Sequence, residues 1–188
     1  MSSPAPMEDA AEAVATRAGV HPVLVTGATG RVGRAVVAEL LRAGVPVRAL
    51  TRRPATAELP AAVEVVAGDL TVPESLDAAL QGVRAVFLLW TAPLATAAAV
   101  VERLASDTRR VVFLSSPHQT PHPFFQQPNP MARLHAEIER LIAAAGLEST
   151  FIRPGMFASN AQFWWGARDP CGRRRPVALR RSRDCTDR

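Results

Sequence analysis

The sequence predicts an α/β fold: a doubly wound parallel sheet of about six strands, with disordered N- and C-terminal extensions. Three observations carry that expectation. Short β-branched runs alternate with Ala/Leu-rich stretches of helical length. The candidate strands are almost continuously apolar, as strands covered on both faces are. Glycine and proline fall at the joints, with Gly44 and Gly146 just past two helices and Pro73 where a first helical turn tolerates it.

In chain order the expected strands are Pro22–Thr26, Val47–Leu50, Val63–Ala67, Ala85–Leu89, Arg110–Ser115 and Ser149–Ile152. The expected helices are Val32–Ala43, Pro73–Leu80, Ala95–Ala105 and Met131–Ala145. Residues 1–20 read as a flexible extension, 21–165 as one domain and 166–188 as a disordered tail. A chain of 188 residues with 48% hydrophobic content can bury one core. The N-terminus has no basic start and no sustained apolar stretch, and it carries Glu8, Asp9 and Glu12, which argues against a targeting signal and for a cytoplasmic location. The uncharged run Ala85 to Val101 is broken by Thr91, Pro93 and Thr96 and is shorter than the roughly 20 residues of a membrane helix. No membrane partner is expected.

Charge is distributed unevenly. Positive and negative side chains cancel up to Trp165, so the whole net charge of +5 sits in Gly166–Arg188, where eight Arg face three Asp. Those arginines could contact phosphates in a salt-sensitive way. Against nucleic acid as a partner stand a neutral body, no recognised binding motif and no aromatic side chain among the tail's arginines. Both cysteines, Cys171 and Cys185, also lie in the tail, so the folded body has neither a disulfide framework nor a thiolate metal site.

The segment VLVTGATGRVG, Val23 to Gly33, runs from the first strand through a glycine turn into a helix. Gly27 permits the tight turn, Gly30 lets the backbone approach a pyrophosphate, and Gly33 allows the helix to pack closely on the strand. The amides of Thr29, Gly30, Arg31, Val32 and Gly33 then face the anion, aided by the helix dipole. The glycine trio alone can be just a tight strand-to-helix loop; here a strand precedes it, an amphipathic helix follows and further βαβ units are present. This is the pattern of a Rossmann-type domain holding a nicotinamide dinucleotide.

The spacing T-G-A-T-G-x-x-G resembles the atypical and extended short-chain dehydrogenase/reductases. Later residues narrow the resemblance to the NmrA-like, NAD(P)H-binding group: ALTRRP ends the second strand, VVAGDL the third, VFLLW the fourth and VVFLSS the fifth, followed by HAEIERLIAAAGLESTFIRPGMFASN. It covers about Val23 to Trp165. The resemblance implies that Asp69 and Leu70 border the adenine and that Leu88, Leu89 and Trp90 lie along the ribose toward the nicotinamide; Trp90 can equally be core packing. It implies either an NAD(P)H-dependent reductase acting on a quinone or similar small acceptor, or a non-catalytic protein that senses the dinucleotide's redox state.

Cofactor preference is legible at the end of the second strand. A NAD-preferring domain places a carboxylate there for the ribose 2′-hydroxyl, whereas an Arg accommodates a 2′-phosphate. This chain has Thr51, Arg52 and Arg53, with no carboxylate in sequence until Glu58. NADP(H) is therefore favoured over NAD(H), although either arginine can be an ordinary solvated loop residue.

No catalytic residue is firm. The superfamily's Tyr-x-x-x-Lys pair is excluded, because the chain contains no Tyr and no Lys. Met131 and His135 stand at the same four-residue spacing, so His135 is a candidate general acid, with a partly exposed histidine beside Glu139 as the plainer reading. Ser115 and Ser116 end the fifth strand, at the carboxyl edge where such sheets keep ligands, and Ser115 is the second candidate. With no base near them in sequence, neither serine reads as a nucleophile. His118 and His122 lie in a Pro-rich loop suited to covering a site, without the carboxylates or thiols that would make it a metal site.

The resembled family is longer than this chain and uses the additional strand and helices for its substrate pocket, so a truncated cofactor half is expected. The tail from Gly166 has no apolar periodicity. Back-translated with permissible codons and shifted by one base, the stretch from Asp169 can read IRAGDVVRWPYADRGTAPI, which resembles the family's own continuation. The sequence therefore leads us to expect a frameshifted C-terminus.

Overall fold

A computed structural model describes residues 21–117 and 130–155. The readings made for residues 1–20, for His118 and His122, and for Asn160, Trp165 and the Cys-containing tail fall outside the described residues. The chain divides into two units between Arg153 and Pro154, and every described strand lies in the first.

Six strands form one sheet: β1 (Val23–Val25), β2 (Val47–Thr51), β3 (Val63–Ala67), β4 (Ala85–Leu89), β5 (Arg110–Leu114) and β6 (Glu148–Ile152). Their order across the sheet is β3-β2-β1-β4-β5-β6, and every neighbouring pair is parallel. Parallel neighbours need crossovers, supplied by α1 (Arg31–Arg42), α2 (Asp77–Leu80), α3 (Ala97–Asp107) and α4 (Pro130–Ala144) for every pair except β2 and β3, whose connection holds only a 3-10 turn. This is the Rossmann order, with its direction reversing between β1 and β4. The strand and helix positions expected from the sequence are found within one or two residues, except at the helix starts.

Alternating side chains send two cores to opposite faces. On one face Leu24, Val86, Leu88, Val111 and Phe113 pack with Leu80 of α2, Val100 and Leu104 of α3, and Ile138 and Ile142 of α4. On the other, Val25, Val47, Ala49, Val63 and Phe87 pack with Val37 of α1. Coverage on both faces holds for the inner strands but not for the edges. On β6, Glu148, Ser149 and Thr150 are exposed and Ile152 is 41% exposed. The polar Ser149 and Thr150 suit that position, because an edge strand has one unpaired side and needs fewer apolar neighbours.

Proline shapes the helix starts. Pro73–Leu76 winds as a 3-10 turn before α2, and Leu94–Thr96 does so after Pro93 and before α3. The first was expected as part of a single α-helix, and the second from Ala95 onward. A further 3-10 turn, Pro54–Thr56, follows β2 directly and was not expected. In all three the fixed proline φ favours a tight first turn.

Candidate dinucleotide site

The carboxyl ends of β1 and β4 diverge at the point where strand order reverses, and the glycine turn lies there. Gly27 has φ +64°, a left-handed conformation that a side chain would strain, and an added Cβ would also press on Leu89 at 3.2 Å. Gly30 donates its amide to the Gly27 carbonyl at 3.0 Å, closing the turn. Gly33 is the most constrained: a Cβ would stand 2.1 Å from the Gly27 carbonyl oxygen and 2.7 Å from Ala28 Cα. Only glycine lets α1 begin this close to β1.

Gly30 is the N-cap of α1, with no side-chain cap and no acidic residue in the first turn. The first amides of a helix lack intrahelical acceptors. Thr29, Gly30 and Arg31 are exposed, Val32 is half-buried and Gly33 is buried. A Cβ on Gly30 would meet only the Gly27 carbonyl, at 3.2 Å, so glycine there keeps the outer side of the helix start clear. An uncapped helix start beneath open space fits a pyrophosphate, which amides and the helix dipole can hold without a counter-cation.

Two residues that the sequence reading passed over fix this turn. The Thr26 hydroxyl accepts from the Leu89 amide at 2.7 Å and donates to the Leu89 carbonyl at 2.9 Å, tying the end of β1 to the end of β4. Arg34 donates to the Thr29 carbonyl at 3.0 Å and to the Glu58 carbonyl at 2.6 Å, bracing the turn against the loop after β2. Their only sequence signal was position beside the glycines.

Beyond β2, Arg52 and Arg53 are both exposed, and the Arg53 amide donates to the Thr51 hydroxyl at 3.2 Å. Glu58, the nearest carboxylate in sequence, forms a loose ion pair with Arg34, 4.0 Å away. In space the Arg52 charge acts on a different carboxylate, that of Asp69. The Thr71 amide, 2.9 Å from Asp69 Oδ1, holds the Asp69 carboxyl below its ordinary value, and the Arg52 charge adds to that effect. Asp69 is itself fixed by Ser75, whose hydroxyl accepts from the Asp69 amide at 2.8 Å.

Leu70 and Trp90 are buried in the same core cluster, 6% exposed each, and the Trp90 indole donates to the Ala92 carbonyl at 2.5 Å. Leu89 is half-buried against Gly27. The end of β4 therefore forms a packed apolar floor beside the turn.

At the end of β5, Ser115 is 4% exposed; its amide donates to the Ile152 carbonyl at 2.8 Å, and its hydroxyl is buried without a partner among the described residues. Ser116 is different. Its Oγ is 2.9 Å from His135 Nδ1, although 19 residues separate them in sequence. The expectation that no base stands near these serines is thus corrected for Ser116, because the crossover returns α4 over the end of β5. The His135 ring packs edge-on against Phe113, with centroids 5.4 Å apart. One turn further along α4, the buried Glu139 carboxylate pairs with Arg153 at the end of β6 through Nε, at 2.9 Å, and through Nη2. No cluster of three or more His, Cys, Asp or Glu residues able to hold a metal occurs among the described residues. No described helix is long and apolar enough to cross a membrane.

Comparison with known proteins agrees with this geometry. Residues 27–166 match the NAD(P)H-binding family. The (4-alkanoyl-5-oxo-2,5-dihydrofuran-3-yl)methyl phosphate reductase of Streptomyces griseus is 39% identical over 153 residues, covering 76% of this chain and 50% of the relative. Triphenylmethane reductase of Citrobacter sp., solved with NADP(H), superposes with a TM-score of 0.62 at 25% identity, covering 76% of this chain and 51% of the other. An NADPH-dependent quinone oxidoreductase of Escherichia coli gives 0.65 at 26% identity, over 77% and 51%. The chain spans about half the length of the relatives it matches.

Proposed function

The chain belongs to the NAD(P)H-binding family, and from that premise we propose that it binds NADPH and serves as the cofactor-holding part of a reductase for small organic acceptors such as quinones and dyes. The observation that carries this reading is the bare N-terminus of α1, pressed against the end of β1 by Gly33 and kept clear by Gly30. The amides of that first turn hold the pyrophosphate. Arg52 and Arg53 offer two guanidinium groups at the end of β2, where a 2′-phosphate would lie. The Asp69 carboxyl, held below its ordinary value chiefly by the Thr71 amide, is favoured further in its charged form by the Arg52 charge.

The reduced nicotinamide supplies the hydride, so the protein's work is to bind, orient and exclude water. The apolar floor of Leu70, Leu89 and Trp90 provides a dry surface beside the turn. Reductase relatives and neighbours support turnover over a purely sensing role. The test is NADPH oxidation by the purified full chain against a quinone, a neutral azo dye and a cationic triarylmethane dye. Turnover with at least one is expected; NADPH binding with no turnover on any of them would leave a sensor instead.

A further inference from the structure

We propose that Ser116 and His135 form a two-step proton relay for the acceptor, replacing the Tyr-Lys pair that this chain lacks; this rests on the reductase reading above. The observation is their contact, Oγ to Nδ1 at 2.9 Å, at the carboxyl edge of β5. Leu114 of β5 lies in register with Leu89 of β4. The serines that follow are therefore two strand spacings, roughly 10 Å, from the end of β1 and its glycine turn. An extended dinucleotide anchored at the turn can reach that far.

Both residues are half-buried, as a group that must meet an acceptor and still exchange protons with water should be. Ser115 does not fit the role, since its hydroxyl is buried. Phe113 packs edge-on against the imidazole and limits how its ring can turn, leaving Nδ1 toward Ser116. Among the described charged groups, Glu139 lies one turn along α4 on the same side, and Arg153 from the end of β6 holds that carboxylate. The His135 Nδ1 atom is 2.9 Å from Ser116 Oγ.

The balance is simple. Hydride brings two electrons and one hydrogen to the acceptor, breaking a C–H bond of the reduced nicotinamide. A neutral acceptor becomes an anion, which takes the hydroxyl proton of Ser116. Ser116 Oγ recovers a proton from His135 Nδ1–H, and His135 takes one from water. A triarylmethyl cation is neutralised by hydride alone and needs no proton.

That difference supplies the test, made on the full chain with Ser116→Ala and His135→Gln. Reduction of a neutral azo dye should fall on the order of 100-fold in both variants, the usual contribution of a positioned acid. Reduction of a cationic triarylmethane dye and the affinity for NADPH should stay within about twofold on the same grounds. In the cofactor-free chain, the 15N resonance of His135 Nδ1 should shift in Ser116→Ala, independently of turnover. An equal fall with both dyes, or no fall with either, overturns the relay, as does an unmoved Nδ1 resonance. A wild-type chain that reduces neither dye overturns the reductase reading and the relay with it.

Discussion

Gly33 illustrates how a single hydrogen in place of a methyl group decides the site. Its α-carbon faces the Gly27 carbonyl, and the Cβ of an alanine would lie 2.1 Å from that oxygen. The oxygen belongs to the backbone and cannot swing aside, so Gly33→Ala must push α1 away from β1. Overpacking of this kind costs about 3 kcal/mol. The urea midpoint should fall accordingly, and NADPH affinity should fall further than stability, because the amides move with the helix. Sequence reading assigns this role correctly, since close packing by the third glycine follows from its spacing. It could not find the pairing of Ser116 with His135, because nothing local in the sequence links a strand end to a helix 19 residues away. The influence of Arg52 on Asp69 was hidden for the same reason: the two residues follow adjacent strands, β2 and β3, which are brought together only in the folded sheet.

Past the end of the β1–β4 ladder, one hydroxyl adds a further tie. Thr26 both accepts from and donates to the backbone of Leu89, at the place where the strands part and no ladder continues. Thr26→Val keeps the shape and removes both hydrogen bonds, leaving a buried amide and carbonyl unpaired. The expected cost is about 2 kcal/mol in the thermal or urea transition, with Thr26→Ser restoring most of it. Strands β3 and β4 were legible residue for residue, and β2 up to Thr51, because their apolar runs end in glycine, arginine or tryptophan at the carboxyl edge of the sheet. The helix starts after Pro73 and Pro93 were not, since apolar periodicity of 3.6 and a 3-10 turn agree over so few residues. The exposure of β6 follows from its edge position, which depends on strand order and not on its own composition.

Taken together, the sheet, the turn and the two arginines form the proposed cofactor-binding half, and the chain spans about half the length of its curated relatives. Strand order places the glycine turn and the β5–α4 pair at the same carboxyl edge, which is why a holding site and a reacting site can share one dinucleotide. The reading stands or falls on what the turn and the arginines hold. The direct measurement is calorimetric titration of the full chain with NADPH and NADH, repeated for Arg52→Gln and Arg53→Gln. NADPH should bind at least about tenfold more tightly than NADH, and one arginine substitution should remove most of that preference while leaving NADH affinity near its original value, as loss of a charge-assisted phosphate contact requires. Absence of binding by either dinucleotide, or tighter binding of NADH, would contradict it.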